Sequence, residues 1–139
     1  MARPDKTLPE GTTFRGEKLN AKDKALLAAA EADDLKARDI VVLDVREFPS
    51  LAEYFVICTG DTKRHLRGIA GRLKDAADEH DFAVHHTEGL DMARWILVDL
   101  NNVVVHIFDP EARNHYELER LWGDAARVPF APPQPPGKK

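Results

Sequence analysis

The chain has 139 residues, which is long enough for one domain with a sizeable core and two tails but too short for two domains. A net charge of −4 argues against a protein whose main activity is to grip a nucleic acid backbone, which needs a basic surface, whereas a basic protein partner is compatible. One cysteine excludes a disulfide framework, and the lack of a signal peptide or long apolar run predicts a cytoplasmic protein with no membrane span.

The first part of the chain predicts a flexible arm, a helix and two strands. Residues 1–19 are polar, contain proline and glycine and show no apolar period, so we expect them to be flexible. Asn20 can cap a helix that runs to about Arg38, and the thin apolar stripe of this helix predicts packing at an edge of the domain. The apolar, β-branched runs at 40–45 and 54–59 predict buried strands.

A second helix and a short strand follow. Asp61 or Thr62 can cap the helix, whose apolar positions recur at helical spacing and share one face. These positions are Leu66, Ile69, Ala70, Leu73 and Ala77. Residues 82–86 then predict a shorter strand, and an acidic loop leads into the next element.

The most informative stretch runs from Glu88 to Phe108. Two apolar, β-branched runs flank Asn101-Asn102, and asparagine tolerates the left-handed backbone that a tight hairpin turn requires. A hairpin with this turn has one wholly apolar face, which should cover the core. That face pairs Leu100 with Val103, Val98 with Val105 and Ile96 with Ile107.

The second face of the hairpin mixes large apolar groups with a carboxylate and an imidazole. The same register places Asp99 opposite Val104, Leu97 opposite His106 and Trp95 opposite Phe108. Aromatic anchors with a few placed polar groups are typical of protein interfaces. The alternative is that a helix packs here and the polar groups are satisfied locally, and the pattern alone leaves both interpretations open.

The end of the chain predicts a helix and then a tail. Asp109-Pro110-Glu111 supplies a capping carboxylate, a proline at the first helical position and an acid that complements the helix dipole. At helical spacing Tyr116 points away from the apolar stripe of this helix, so it is either simply exposed or functional. The sequence therefore predicts a domain over 20–122 and a disordered, proline-rich tail over 123–139.

The order of elements predicts an α/β fold of the α+β, mixed-sheet kind. About five strands should form one sheet with the helices packed on it, and the hairpin excludes a purely parallel sheet.

Signals for catalysis are weak. Residues 60–65 follow a strand and open a helix, so they could hold a phosphate, but they lack the glycine and lysine spacing of known phosphate-binding loops. Asp39, Asp44 and Asp99 lie at or near strand ends, where a two-metal site could form if they converged. Cys58 is more typical of a core residue than of a nucleophile. We predict no catalytic residues and no cofactor.

A metal site is also not indicated. His85 and His86 are adjacent, so in a strand they face opposite sides and cannot hold one ion. The chain contains no pair of cysteines and no zinc-binding helix motif.

One set of acidic and aromatic residues suits recognition of a basic protein. Rings provide a surface for a buried anchor, and carboxylates can pair with lysine or arginine. The set consists of Glu88, Asp91, Trp95, Asp99, His106 and Tyr116.

These residues, taken with several motifs in an unbroken order from about Lys24 to Trp122, resemble the ribosomal silencing factor family, also called Iojap-like proteins or RsfS. Each motif alone is weak, and together they are specific. The sequence departs from the family pattern in three places: two asparagines replace a glycine-acid pair in the hairpin turn, Glu47-Phe48-Pro49 replaces a typically glycine-containing link, and the amino-terminal arm and proline-rich tail lie outside the resemblance. The motifs are Asp39-Ile40-Val41-Val42-Leu43-Asp44-Val45, Tyr54-Phe55-Val56-Ile57-Cys58-Thr59-Gly60, Arg64-His65 with Ile69-Ala70, Glu88-Gly89, Trp95-Ile96-Leu97-Val98-Asp99-Leu100, Val103-Val104-Val105-His106 and Tyr116-Glu117-Leu118-Glu119-Arg120-Leu121-Trp122.

The resemblance implies a fold similar to the nucleotidyltransferase superfamily without an intact catalytic set. It also implies a non-enzymatic function: binding to large-subunit ribosomal protein fourteen on the 50S subunit, which blocks joining to the 30S subunit and represses translation when nutrients are limiting. By this resemblance Trp95 and Tyr116, with the neighbouring Glu88, Asp99 and His106, form the contact set.

Two other hypotheses stay open at the level of sequence. One is a nucleotidyltransferase-like or phosphate-binding enzyme that uses the loop at residues 60–65 and the strand-end aspartates. The other is a homodimer in which an exposed hairpin pairs through Trp95 and Phe108 across a two-fold axis. No sequence-specific contact with nucleic acid is expected.

Overall fold

The computed structural model describes residues 19–48, 52–116, 123 and 125–130. Within these residues the chain forms three helices and a mixed sheet of six strands. None of these helices is long and apolar enough to cross a membrane. The elements in chain order are α1 (Ala21–Asp34), β1 (Arg38–Asp44), β2 (Tyr54–Thr59), α2 (Lys63–Glu79), β3 (His86–Glu88), β4 (Trp95–Asp99), β5 (Val103–Phe108), α3 (Pro110–Tyr116) and β6 (Ala126–Arg127).

The strand order in the sheet is β3-β4-β5-β2-β1-β6. Strands β2 and β5 run parallel, and the other neighbours are antiparallel. The predicted α/β class with a mixed sheet is therefore confirmed. The sixth strand was not expected, because Ala126 and Arg127 lie in the segment predicted to be a disordered tail, yet they pair with the edge of β1 at Asp44 and Leu43. A two-residue strand has too little sequence pattern to be recognised without its partner.

The hairpin has the register predicted from its sequence. Asn101 adopts the left-handed conformation, with φ of 83°, and the Leu100 amide donates to the Val103 carbonyl across the turn. The cross-strand pairs run from Asp99 opposite Val104 to Trp95 opposite Phe108. The Asp99 carboxylate also accepts a hydrogen bond of 2.8 Å from the Asn101 amide, which stabilises the turn.

Helices α1 and α2 cover the apolar face of the hairpin and complete the main core. Helix α1 lies over β1 and β2, and α2 lies over β4 and β5. The predicted caps are present: Asn20 caps α1, Thr62 caps α2, and Asp109 accepts from the Ala112 amide at the start of α3. Helix α1 does not pack at an edge, because its alanines allow close approach to the sheet and Ala25, among others, is completely buried.

Three predicted boundaries are wrong in detail. Helix α1 ends at Asp34 rather than near Arg38, because Lys36 adopts the left-handed conformation, with φ of 70°, and Arg38 already begins β1. Strand β3 begins at His86 rather than at residue 82, because its partner strand β4 ends at Asp99, and before His86 only the His85 amide still bonds to β4, at the Asp99 carbonyl. Leu19, assigned to the flexible arm, is buried against Leu27 and Ala76. The rest of the arm, residues 117–122 and most of the tail lie outside the described residues.

Candidate functional site

The side of the sheet turned away from α1 and α2 carries the polar and aromatic residues of the hairpin. We call this side the outer face. Residues of the outer face that are paired across neighbouring strands lie side by side. Glu88, Leu97 and His106 form one such row on β3, β4 and β5, and Asp99 and Val104 form the next row on β4 and β5. On β4 and β5 the outer face consists of Trp95, Leu97, Asp99, Val104, His106 and Phe108. Part of it packs against Ala112 of α3.

Trp95 and His106 are joined by a direct hydrogen bond on the outer face. The Trp95 indole Nε1 donates to His106 Nδ1 over 3.1 Å, so the second imidazole nitrogen carries the proton of the neutral ring. His106 is 6% exposed, and its Nε2 has no hydrogen-bond partner within the described residues. Burial lowers the pKa of His106 from 6.5 to about 4, so the imidazole stays neutral near pH 7.

Aromatic rings hold this pair in place. Phe55 meets His106 edge-on with centroids 5.0 Å apart, and Phe108 packs against Trp95 at 5.1 Å. Trp95 itself is only half-buried, so part of its ring is available to a partner. Phe108 is completely buried and cannot act as the exposed anchor that the homodimer hypothesis assigned to it.

Phe55 was not among the residues singled out from the sequence. It lies on β2 and reaches the outer face because β2 runs parallel to β5, which places Phe55 beside Val104. The apolar run at 54–59 predicts a buried strand but not its neighbour in the sheet. A parallel pairing between distant segments has no local sequence signal.

The acidic residues of the predicted set are placed less uniformly. Glu88 is exposed at the open edge of the outer face and is hydrogen-bonded to His86 on the same strand. Asp99 is half-buried and supports the turn. Asp91 is not on the outer face, because its loop is held against α2 by Arg67, which donates to the Asp91 carbonyl. The structure therefore brings Glu88, Asp99 and the Trp95–His106 pair together and leaves Asp91 at the rim.

Tyr116 is the last described residue of α3. This helix starts directly after β5, so its first turn lies against the outer face at Ala112. The position of the Tyr116 side chain lies outside the described residues.

The features considered for catalysis do not converge. Asp44 and Asp99 are separated by β2 and β5 in the sheet, and Asp44 is paired with Arg46 through two hydrogen bonds. Asp39 is at the other end of β1. Among the described residues there is no group of three or more side chains that could hold a metal ion.

The loop at residues 60–65 is a capped helix start whose polar groups are largely used within the protein. The Thr62 hydroxyl accepts from the His65 amide, His65 Nδ1 accepts from the Asp61 amide, and the Asp61 carboxylate binds Arg38. Cys58 is completely buried, and burial raises the pKa of its thiol to about 12, so it behaves as a core residue.

Comparison with known proteins identifies the family. A family model described as "Ribosomal silencing factor during starvation" matches residues 18–139. This chain belongs to the ribosomal silencing factor family. The resemblance of the sequence motifs is thereby confirmed, and it extends through the segment that contains β6.

Relatives of the ribosomal silencing factor family share sequence and fold with this chain. A ribosomal silencing factor from Bacillus subtilis is 47% identical over 107 residues, covering 77% of this chain and 91% of that protein. A Mus musculus protein named mitochondrial assembly of ribosomal large subunit protein 1 is 39% identical over 90 residues, covering 62% of this chain and 39% of that protein. A crystal structure of a protein from Chromobacterium violaceum is 31% identical with a TM-score of 0.73, covering 81% of this chain and 93% of that one.

Proposed function

We propose that this chain represses translation under nutrient limitation by binding large-subunit ribosomal protein fourteen on the 50S subunit and excluding the 30S subunit. Membership of the ribosomal silencing factor family supports a role in ribosome silencing. The name of the Mus musculus relative refers to the large ribosomal subunit, which favours that subunit as the partner. The observation that carries the proposal is the half-buried Trp95, held by His106 on an otherwise packed sheet face.

The chemistry of the outer face fits a basic ribosomal protein. Trp95 offers ring surface and an orientation fixed before binding, so little conformational freedom is lost on contact. The exposed carboxylate of Glu88 lies at the same face and can pair with lysine or arginine. Blocking a docking surface requires only bulk and affinity, so the mechanism needs no catalytic group.

The residues of the predicted set take different roles in this proposal. Trp95 and Glu88 contact the partner directly, Tyr116 contacts it from α3, and Asp91 contributes from the rim. His106 is buried, so it positions Trp95 and does not touch the partner. Asp99 both shapes the turn and contributes negative charge.

The test is co-sedimentation of the purified protein with isolated 50S subunits, followed by addition of 30S subunits. We expect stable 50S binding and loss of the 70S peak. Trp95→Ala should weaken 50S binding by roughly 30-fold, which corresponds to about 2 kcal/mol for an aromatic hot spot. Met92→Ala is the matched control, because Met92 is an exposed apolar residue outside the outer face.

Two results would contradict the proposal. One is normal 50S binding by Trp95→Ala while its circular dichroism spectrum matches the wild type. The other is 50S binding that leaves 70S formation unchanged, because exclusion of the 30S subunit would then fail. Light scattering of the free protein across concentrations tests whether a homodimer competes with either step.

A further inference from the structure

The exposed side of α2 carries a cluster of basic residues that the outer face does not use. Lys63, Arg64, Arg67 and Lys74 are all exposed on this helix. Gly68 and Gly71 lie among them on the same exposed side. We call these six residues the basic helix surface.

Exposed Asp75 and Asp78 follow Lys74 along α2, but they form no ion pair with this surface in the described part of the chain. Within the described residues none of its four basic side chains forms an ion pair. Lys63 Nζ donates to the Met92 carbonyl, and Arg67 donates to the carbonyls of Leu90 and Asp91, which are neutral groups. By contrast Arg72, which points toward α1, is paired with acidic side chains there.

The order of charges along α2 does not favour the helix itself. Its first turn contains no acidic residue and its last turn no basic one. A helix dipole favours the opposite arrangement, with acids at the start and cations at the end. The acids of α2 follow the basic residues as Asp75, Asp78 and Glu79. Lys63 and Arg64 lie in the first turn and therefore oppose the helix dipole, so helix stability does not explain these two residues.

The two glycines on this surface are also not explained by helix stability. Glycine in the middle of a helix is unfavourable relative to alanine, and packing usually accounts for it. Here a Cβ atom added at Gly68 or Gly71 would meet nothing within 4 Å. No contact within the described residues requires glycine at either position. Because glycine has no side chain, the helix surface between the basic residues is flat. The backbone of an extended binding partner can therefore come close to the helix there.

A groove of about 460 Å³ borders the basic helix surface on the side of β3. Arg67, Lys74, His85 and His86 contribute to its lining, and no carboxylate residue is part of that lining within the described residues. The arm at 1–18 and the tail at 131–139 contain more basic than acidic residues, so neither segment complements the charge of this surface. Charge complementarity therefore favours a polyanion.

We infer that the basic helix surface contacts the phosphate backbone of RNA next to the protein partner on the large ribosomal subunit. This inference rests on the proposed function, which brings the chain to a particle rich in RNA. The loop from Gly89 to Met92 connects the two surfaces, because α2 binds that loop and Trp95 follows it closely. The contact depends on the charge and shape of the RNA backbone and not on base sequence. It adds to the affinity of the outer face for its protein partner.

The first test removes charge without disturbing the loop. Arg64→Gln and Lys74→Gln together should weaken binding to 50S subunits on the order of tenfold at 150 mM salt, and the plot of log affinity against log salt should become shallower by about 1.4 to 1.8. Binding to isolated ribosomal protein fourteen should stay unchanged. Lys22→Gln with Lys36→Gln, an equal change of charge at exposed positions on or next to α1, is the matched control.

The second test uses the glycines. Gly68→Ala with Gly71→Ala should raise the midpoint of urea unfolding, because alanine favours the helix, and should weaken 50S binding, because two methyl groups then cover the strip. A residue pair with only a structural role would not raise stability and lower affinity together.

The outcomes separate this inference from the proposed function. Unchanged 50S affinity and salt dependence in the charge variant would overturn the RNA contact while Trp95→Ala still loses binding. A weaker affinity with the wild-type salt dependence would also overturn it, because loss of phosphate contacts must make the salt dependence shallower. Both proposals are supported if Trp95→Ala loses binding to isolated ribosomal protein fourteen while the Arg64→Gln, Lys74→Gln variant keeps it and loses affinity only for the 50S subunit.

Discussion

Acidification from about pH 7.5 to about pH 4.5 should destabilise the folded protein by about 2.5 kcal/mol through His106 alone. The folded protein buries a neutral imidazole whose pKa is about 4, against 6.5 for an exposed group. Above pH 6.5 both the folded and the unfolded state hold this ring neutral, so its contribution to stability is complete. As the pH falls from 6.5 toward 4, His106 becomes protonated in the unfolded state but stays neutral in the folded state. Proton binding therefore stabilises the unfolded state, and the free energy of unfolding decreases.

The magnitude follows from linkage between protonation and folding. Each unit of difference in pKa is equivalent to about 1.36 kcal/mol, so a complete shift from 6.5 to about 4 corresponds to roughly 3.4 kcal/mol. Most of this has been lost at about pH 4.5, which gives the value of about 2.5 kcal/mol. Protonation of Nδ1 would also remove the acceptor of the Trp95 hydrogen bond.

Urea unfolding over this pH range measures the effect. His106→Leu removes the titrating group at similar volume, so the wild type should lose about 2.5 kcal/mol more unfolding free energy than the variant as the pH falls. His85→Leu is the matched control, because it makes the same substitution at an exposed histidine. A nuclear magnetic resonance titration of the imidazole signals provides an independent reading.

Two results would refute this reasoning. Parallel pH profiles for wild type and His106→Leu would show that His106 does not couple folding to protonation. An imidazole signal assigned to His106 that titrates near 6.5 would show that the ring is not held neutral by burial.

Two further predictions concern stability. Arg72→Leu should lower the free energy of unfolding by about 3 kcal/mol in a urea titration, because Glu31 is 1% exposed and would lose the guanidinium that pairs with it at 3.0 Å. Gly89→Ala should cost at least about 2 kcal/mol in the same assay, because Gly89 has φ of 87° and a Cβ would lie 2.1 Å from the Trp95 carbonyl oxygen.

Each stability prediction has a matched control in the chain. Arg38→Leu breaks an exposed ion pair with Asp61 and should cost less than about 1 kcal/mol. Gly68→Ala adds a Cβ in open space and should be neutral or stabilising. Equal losses for Arg72→Leu and Arg38→Leu would contradict the role assigned to burial, and a tolerated Gly89→Ala would contradict the close approach at Trp95.

Local sequence signals predicted the hairpin correctly. The two asparagines set the turn, and because side chains alternate along a strand, one fixed turn determines every pair from Leu100 to Trp95. Capping at Asn20, Thr62 and Asp109 was likewise readable, since a cap involves only residues within three positions of each other. Trp95 and His106 could be assigned to one face for the same reason.

Only the tertiary structure decided what lies beside these elements. Parallel pairing of β2 with β5 brings Phe55 to His106, and strand β6 exists only because β1 offers an open edge. Helix α1 has a weak apolar stripe, yet its alanines are buried because close packing on the sheet suits small side chains. The sequence by itself determined turns, caps and faces, which depend on neighbours along the chain. Tertiary structure decided that His106 is buried and that the loop at Asp91 is held against α2, because both depend on contacts between distant segments.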